Sequence, residues 1–188
     1  YFPMTDDSAY LSILQLSDLH ILATQEDKML GIDTEHYFHA CIEQAVRQSS
    51  QHTDTLQQRF DLILLSGDLA QEPSLASYRR ILTTLETYQT PCICLPGNHD
   101  DYALMQQVFN TETINCRKQI FLANWQLISL NSQIPEDPGG RLEKEELEFL
   151  EHCLSENPAH HALIAVHHHC LETNSPWMDT MIIENSRE

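Results

Sequence analysis

The chain has 188 residues, a length that fits one domain with a sizeable core. It carries 28 acidic and 10 basic residues, and the formal net charge of −18 argues against binding along a nucleic-acid backbone, which needs patches of lysine and arginine. The sequence has no disulfide-type cysteine spacing, no signal-peptide pattern and no membrane-length apolar stretch, so we expect a cytoplasmic protein with neither a nucleic-acid nor a membrane partner.

The first half of the chain alternates apolar runs of strand length with segments of helical periodicity. Cys92 and Cys94 fall on the same side of one predicted strand and are expected in the core. The predicted elements are, in order, a strand at Leu11–Leu16, a helix from Asp33 or Thr34 to about Ser49, a polar linker at 49–58, a strand at Leu62–Leu65, a helix opened by Pro73, a strand at Cys92–Leu95 and a short helix at Ala103–Phe109.

The second half predicts a hairpin, a helix and a last strand. The helix is amphipathic, with Leu147, Leu150 and Leu154 expected to face inward. The elements are a hairpin of Ile120–Ala123 and Trp125–Leu130, a loop at Pro135–Gly140, a helix at Glu143–Leu154 and a strand at Leu163–Val166. Because no repeat or second linker interrupts this order, we interpret residues 1–188 as a single α/β domain.

Four polar clusters each follow one of the four apolar strands. In open α/β sheets, ligands bind outside the carboxyl ends of parallel strands, so these clusters are expected to meet in one polar pocket. The clusters are Asp18-Leu19-His20, Gly67-Asp68, Gly97-Asn98-His99-Asp100 and His167-His168-His169.

The side chains of these clusters are those that bind transition metals. Asp18 and His20 are two residues apart and point the same way in an extended backbone, so they can converge on one ion. Asp68 has two carboxylate oxygens that can bridge two cations, while Asn98 offers a carbonyl oxygen and His167 an imidazole. Mixed nitrogen and oxygen ligands suit iron, manganese or zinc. Two such metals can clamp a phosphate and turn a shared water into hydroxide.

The residues beside these ligands have several interpretations. His99 is adjacent to a ligand and is expected to face substrate together with Asn98, with Asp100 orienting the His99 ring. His168 and His169 either contact substrate or support His167 structurally. Taken singly, Asp18 could cap the following turn, and a Gly-Asp pair is an ordinary turn signal.

The order of the four clusters resembles the calcineurin-like metallophosphoesterase superfamily. Within it, longer strings are similar to those of the bacterial 3′,5′-cyclic AMP phosphodiesterases. These strings are Ser17–His20, Leu30–Ile32, Ser66–Gln71, Leu95–Asp100, Gly140–Leu142 and Val166–His169. The protein phosphatases of the superfamily carry a different motif after Gly-Asp and a glutamate after Asn-His, so phosphoprotein substrates are not expected.

The resemblance implies a layered α/β/β/α sandwich and a dinuclear metal site of two iron or manganese ions, with zinc as an alternative. By it, Asp18 and His20 hold the first metal, Asp68 bridges, and Asn98 and His167 hold the second. His99 donates a proton to the leaving oxygen with help from Asp100, and the expected reaction is hydrolysis of 3′,5′-cyclic AMP to 5′-AMP. A phosphomonoester or another phosphodiester as substrate remains an alternative.

The superfamily pattern also includes a later Gly-His-x-His motif, whose two histidines complete the metal sites. This sequence has no histidine after His169. We therefore expect a C-terminally incomplete sandwich, with three protein ligands per metal and an exposed sheet edge that invites self-association. If the chain naturally ends here, a non-catalytic metal-binding or nucleotide-binding protein is the alternative.

Overall fold

The structure is a computed structural model that describes residues 11–49 and 60–188. The predicted polar linker at 49–58 lies, apart from Ser49, outside these residues. The elements of the described chain are β1 (Ile13–Leu16), α1 (Thr34–Ser49), β2 (Leu62–Ser66), α2 (Leu75–Glu86), β3 (Cys92–Leu95), α3 (Tyr102–Val108), β4 (Ile114–Asn115), β5 (Gln119–Leu122), β6 (Trp125–Ser129), β7 (Gln133–Ile134), β8 (Asp137–Gly140), α4 (Lys144–Glu156), β9 (His161–Ala165) and a short 3₁₀ helix at Met178–Met181.

The first sheet contains β1 to β4 in sequence order, and all its strands are parallel. Alternate residues of β2 face opposite sides, so Ile63 and Leu65 join the core beneath α1 to α3. Leu62 and Leu64 face the second sheet and form a separate core with its strands. Because both faces are covered, an uninterrupted apolar run is the expected sequence for this strand. The expected parallel strands at Leu62–Leu65 and Cys92–Leu95 are confirmed.

The second sheet contains β5, β6 and β9. The predicted hairpin of β5 and β6 is confirmed, with Ala123 in the left-handed region at its turn. Its outer face packs against α4 through a third core that includes Ile128 and Cys153. Helices, two sheets and a further helix therefore form the expected α/β/β/α layers.

The strand before His167 differs from its prediction. β9 is parallel to its neighbour β6, but it lies at the edge of the second sheet, whereas the other three strands that precede polar clusters lie in the first sheet. Leu163 and Ile164 are 36% and 45% exposed, whereas a buried strand was expected. An apolar run reads alike for central and edge strands, so the sequence pattern alone could not assign this strand to its sheet.

Three local predictions also need correction. Pro73 precedes α2, and Ser74 is the residue that caps it, in a reciprocal capping box with Ser77. The segment expected as a loop, Pro135–Gly140, contains β8, which pairs with β7 just before it as a small antiparallel hairpin. In α4, Cys153 is buried and Leu154, which was expected to face inward, is exposed. Both residues follow Leu150 by about one turn, but Cys153 is the one that packs against Ile128 and Leu130.

The first helix and the cysteines follow expectation. Asp33 accepts a hydrogen bond from the His36 amide and so caps α1. Cys92 and Cys94 are buried, with their sulfurs 3.8 Å apart. Within residues 11–49 and 60–188, no helix combines the length and apolarity needed to span a membrane.

Candidate metal centre

Side chains from both sheets meet at one end of the sandwich. The first sheet supplies Asp18 and His20 after β1, Asp68 after β2 and the Asn98-His99 turn after β3. The second sheet supplies His167 after β9. The structure thus brings together the predicted ligands Asp18, His20, Asp68 and His167, although they do not all come from one sheet.

The backbone at this end is not extended. Asp18, His20 and Asp68 have φ angles of 58°, 46° and 53°, in the left-handed region that side chains other than glycine seldom adopt. The expectation that Asp18 and His20 converge as alternate residues of a strand is therefore wrong in its geometry. Their side chains nevertheless approach, with His20 Nε2 3.8 Å from Asp18 Oδ1. Such strained residues commonly cluster at functional sites.

Asp68 lies at the middle of the site and its two oxygens face different partners. Oδ2 is 3.8 Å from His20 Nε2, and Oδ1 is 3.5 Å from His167 Nε2. Oδ1 also accepts a hydrogen bond of 2.9 Å from the His99 amide. A buried carboxylate held in this orientation can contact one cation with each oxygen.

The orientation of His167 is fixed by the first sheet. Its Nδ1 lies 2.9 Å from the carbonyl oxygen of Ser66. Because a carbonyl only accepts, Nδ1 carries a proton and donates, so Nε2 is the ring nitrogen that faces Asp68 and, once deprotonated, is the one available to a metal ion. Metal-binding histidines are typically fixed by such a bond from their second nitrogen.

Asp68 and His167 shift each other's ionisation. Burial pushes the pKa of Asp68 upward, but the bonds with His167 and the His99 amide outweigh it, and the pKa ends below 3.8. Burial pushes the pKa of His167 downward, but the hydrogen bond and charge of Asp68 raise it above 6.5. In the metal-free protein each group therefore favours the charged form of the other, so the charged pair is more stable than either charged group alone.

This pair predicts a pH window for the stability of the metal-free protein. The lowered pKa of Asp68 contributes stability above about pH 4, which is lost as pH falls through the folded value. The raised pKa of His167 contributes stability below about pH 6.5, which is lost as pH rises through the folded value. We expect the free-energy difference between wild type and His167→Asn, measured by urea unfolding with chelator, to be largest between these limits.

His168 provides the contrast for this measurement. Burial and the neighbouring charge of His167 lower its pKa, so its contribution to stability is present above about pH 6.5 and is lost as pH falls. The pH dependence of His168→Asn relative to wild type should therefore have the opposite sign. A difference for His167→Asn that stays constant from pH 4 to 8 would contradict the charged pair.

Among residues 11–49 and 60–188, two sets of side chains have ligand atoms within 4.8 Å of one another and could hold a metal ion. One contains His20, Asp68 and His99, and the other contains Asp18, Asp68 and His167. Asp68 belongs to both sets, as expected for a bridging ligand. His20 is grouped with Asp68 and His99 and also lies 3.8 Å from Asp18, so its predicted pairing with Asp18 on one metal stays a prediction.

The residues present fit a pair of cations. Nε2 of His20 lies 3.8 Å from an oxygen of Asp18 and from an oxygen of Asp68, and Nε2 of His167 lies 3.5 Å from the other oxygen of Asp68, so both imidazoles direct a ring nitrogen at the shared carboxylate. Two carboxylates and three imidazoles also supply the mixed oxygen and nitrogen donors that transition metals prefer.

Glycine at position 67 gives the site its close packing. A Cβ atom there would lie 2.4 Å from His167 Nδ1, and the residue has a φ of 100°. Gly31 has a similar φ of 87°, but nothing lies within 4 Å of the position of its Cβ. A substitution at either glycine would therefore strain the backbone, but only at Gly67 would the new side chain clash with its neighbours.

We expect Gly67→Ala to weaken Mn²⁺ binding about tenfold or more, because the added methyl group displaces His167 from the Ser66 carbonyl. Gly31→Ala should leave Mn²⁺ affinity unchanged while costing comparable backbone strain. Isothermal titration of both variants with Mn²⁺ measures this. Equal loss in the two variants would mean that crowding at His167 has no part in metal binding.

The Asn98-His99 turn faces this group from the end of β3. The His99 ring lies edge-on to the His20 ring, with centroids 5.1 Å apart. Asn98 and His99 are half-buried, as side chains that contact a substrate need to be. The contact of Asn98 and His99 with substrate stays a prediction.

Asp100 does not orient the His99 ring as predicted. Its carboxylate accepts hydrogen bonds from the backbone amides of Leu69, Ala70 and Gly97 and from the Tyr78 hydroxyl, at 2.9–3.1 Å. Burial raises the pKa of this carboxyl although all these donors favour the charged form. Asp100 therefore clamps the loops after β2 and β3 to α2, and its effect on His99 is indirect.

The contacts of His168, Ser132 and Gln133 were not evident from the sequence. His168 is buried, with Nδ1 2.7 Å from Ser132 Oγ and Nε2 3.2 Å from the Pro138 carbonyl, which favours the structural alternative left open for it. Gln133 contacts the loop after β3. Ser132 and Gln133 lie three and four residues after the last residue of β6, so the same strand-end pattern that identified the four clusters could have indicated them.

A two-sheet α/β sandwich with a carboxylate shared by two histidine-containing groups defines a class of proteins that bind metal at the carboxyl ends of their strands. Residues 11–185 match the calcineurin-like phosphoesterase family, and the chain belongs to it. The predicted superfamily and layered fold are thereby confirmed.

Curated proteins give the same result. The chain is 35% identical over 181 residues to the 3′,5′-cyclic adenosine monophosphate phosphodiesterase CpdA of Escherichia coli strain K12. The aligned region covers 96% of this chain and 63% of that protein. It is 36% identical to CpdA of Vibrio vulnificus, covering 94% and 62%. It is 33% identical to the 3′,5′-cyclic-nucleotide phosphodiesterase alr5338 of Nostoc, covering 95% and 64%. The chain thus spans a little under two thirds of the length of these relatives.

Proposed function

We propose that the protein is a metal-dependent phosphodiesterase that hydrolyses 3′,5′-cyclic AMP, or a closely related cyclic nucleotide, to the 5′-monophosphate. The observation that carries this proposal is Asp68, whose two oxygens face His20 on one side and His167 on the other. The names of the relatives from Escherichia coli and Nostoc support the choice of a cyclic nucleotide.

The proposed cofactor is a pair of iron or manganese ions, with zinc as the alternative. Asp18, His20, Asp68, Asn98 and His167 would hold them. When bound, these ions would polarise the phosphoryl oxygens and make a water molecule nucleophilic near neutral pH. The net charge of −18 makes such cations the source of the positive field that an anionic substrate needs.

The side chains of the turn after β3 would act on the substrate directly. The Asn98 amide can orient a phosphoryl oxygen, and His99 can donate a proton to the leaving O3′ of ribose. In the reaction the water oxygen forms a new bond to phosphorus and the P–O3′ bond breaks. One proton passes from His99 to O3′, and a proton of the water restores His99.

The proposed partner is therefore a small cyclic nucleotide rather than nucleic acid, a membrane or a phosphoprotein. Ala70-Gln71 and Asp100 stand where protein phosphatases of the superfamily carry other residues, which supports this choice. We also propose that residues 1–188 form one domain and that the protein is cytoplasmic. The six free cysteines suit that reducing compartment.

His99→Ala tests the proposed proton donor. We expect kcat for cyclic AMP to fall by about 10²–10⁴-fold, as for loss of a general acid, while bound Mn²⁺ per chain stays at the wild-type amount. Turnover by direct product assay and metal by elemental analysis are measured on the same sample. His152→Ala, on the exposed side of α4, is the control and should change neither quantity.

The structure also offers an arrangement in which His99 binds metal together with His20 and Asp68. Loss of metal in His99→Ala would therefore assign His99 as a ligand and overturn its role as proton donor. Faster hydrolysis of an aryl phosphomonoester than of cyclic AMP would instead overturn the substrate class.

A further inference from the structure

Gln133 is connected directly to the turn that carries Asn98 and His99. Its Nε2 amide donates hydrogen bonds to the carbonyl oxygens of Gly97, at 2.6 Å, and of Asp100, at 2.7 Å. Both partners are carbonyls, which only accept, so the side-chain amide must present its NH₂ group to them. These carbonyls lie on either side of Asn98 and His99 in the sequence.

The turn is otherwise held through its amide groups. The Gly97 amide donates to the Asp100 carboxylate at 2.9 Å, and the His99 amide donates to Asp68 at 2.9 Å. Gln133 holds the opposite, carbonyl side of the same turn. The hydrogen bonds to the amides and to the carbonyls of the turn together fix the directions of the Asn98 and His99 side chains.

Gln133 is the last residue of a short polar segment, residues 131–133, which follows β6. The residues before it in this segment hold it in place. The backbone amide of Gln133 donates to Asn131 Oδ1 at 2.9 Å, and the backbone amide of Asn131 donates to the Glu146 carboxylate of α4 at 3.1 Å. Between them, Ser132 contacts His168. The segment therefore joins the second sheet and α4 both to the turn after β3 and to the residue beside His167.

We propose that Gln133 is a positioning residue, which sets the Asn98-His99 turn of the first sheet against His167 of the second. The inference rests on the proposed function for its effect on turnover, but not for its effect on the turn itself. A side chain that bridges two elements with short bonds can fix a functional group to within a few tenths of an ångström. Gln133 thus acts through Asn98 and His99 and does not touch the substrate.

Gln133→Met tests this role because methionine has a similar shape and no N–H donor. We expect amide hydrogen exchange of the turn residues Gly97, His99 and Asp100 to accelerate about tenfold in the metal-free protein. We expect the Mn²⁺ dissociation constant to rise about tenfold, as for loss of a group that orients a ligand. With cyclic AMP, kcat should fall at least tenfold while KM changes less than threefold, because the reacting groups are misplaced rather than removed.

Gln126→Met is the matched control. Gln126 is a buried glutamine of β6 that contacts Gln119 and the Asn157 carbonyl, remote from the turn. It should lower thermal stability without changing amide exchange at the turn or the Mn²⁺ dissociation constant. A double-mutant cycle adds specificity, since the effect of Gln133→Met on Mn²⁺ affinity should vanish in an Asn98→Ala background.

Unchanged exchange and Mn²⁺ affinity in Gln133→Met would overturn the positioning role, as would full additivity with Asn98→Ala. Failure of the proposed function has a different signature. In that case wild type hydrolyses no phosphoester with Mn²⁺ bound, while the exchange and affinity measurements on Gln133→Met still decide the role of Gln133.

Discussion

Asp68→Asn is expected to empty both halves of the metal centre. Wild type should bind about two Mn²⁺ per chain, and the variant fewer than about 0.5, because one carboxylate serves both sets of ligands. Asparagine keeps the shape of the side chain and an oxygen for the His99 amide, so the fold should be retained. Turnover of cyclic AMP should fall by about 10³-fold or more, which elemental analysis and a product assay measure together.

Asp18→Asn is the matched control for this change. Asp18 belongs to only one set of ligands, and its side chain is 57% exposed, so about one Mn²⁺ per chain should remain. Equal metal loss in the two variants, or wild-type metal content in Asp68→Asn, would contradict a shared carboxylate.

Asp100→Ala is expected to have the largest effect on stability. Its removal leaves the buried amides of Leu69, Ala70 and Gly97 and the Tyr78 hydroxyl without their acceptor. At about 1–3 kcal/mol for each buried donor left unpaired, and allowing for partial relaxation, the free energy of unfolding should fall by about 3–5 kcal/mol. That is a large part of the 5–15 kcal/mol typical of a domain, and urea unfolding at pH 7 measures it.

The neighbouring Asp101 gives a control of the same residue type. It caps α3 by accepting a hydrogen bond from the Leu104 amide at an exposed position. Asp101→Ala should therefore cost only about 1 kcal/mol, the usual value for an N-cap. If Asp100→Ala is no more destabilising than Asp101→Ala, Asp100 is not the clamp between the loops.

The strand-end pattern predicted most of the site. It found Asp18, His20 and His167, each of which has a ligand atom within 4.8 Å of the carboxylate of Asp68, and Asp68 itself. The reason is general, since side chains that follow parallel strands emerge at the same edge and polar groups there are exposed to ligands. His167 reaches this edge from the second sheet, where it follows β9, and its ring contacts the Ser66 carbonyl at the end of β2.

The prediction for Asp100 was wrong because sequence adjacency says nothing about direction. Asp100 follows His99 directly, yet its side chain points into the protein toward Tyr78 of α2. The clamp depends on residues about 20 to 30 positions away, and spacing patterns cannot reveal such contacts. The same limit explains why Gln133, which acts across 36 residues, was not predicted.

The conformation of Asp18 and His20 was also beyond local pattern analysis. Spacing of two residues predicts a common direction only in extended backbone, whereas both residues have positive φ angles. Backbone bonds to the loop after β2 impose this conformation, since the Asp18 amide donates to the Gly67 carbonyl and the His20 amide to that of Asp68. Tertiary hydrogen bonds outweigh the local preference here.

The most direct test is the product formed from 3′,5′-cyclic AMP in ¹⁸O-labelled water by the Mn²⁺-loaded protein. We predict 5′-AMP as the product, with one labelled oxygen on its phosphate, and no product from Asp68→Asn treated identically. Formation of 3′-AMP, or no hydrolysis of cyclic AMP at saturating Mn²⁺, would contradict the proposed phosphodiesterase.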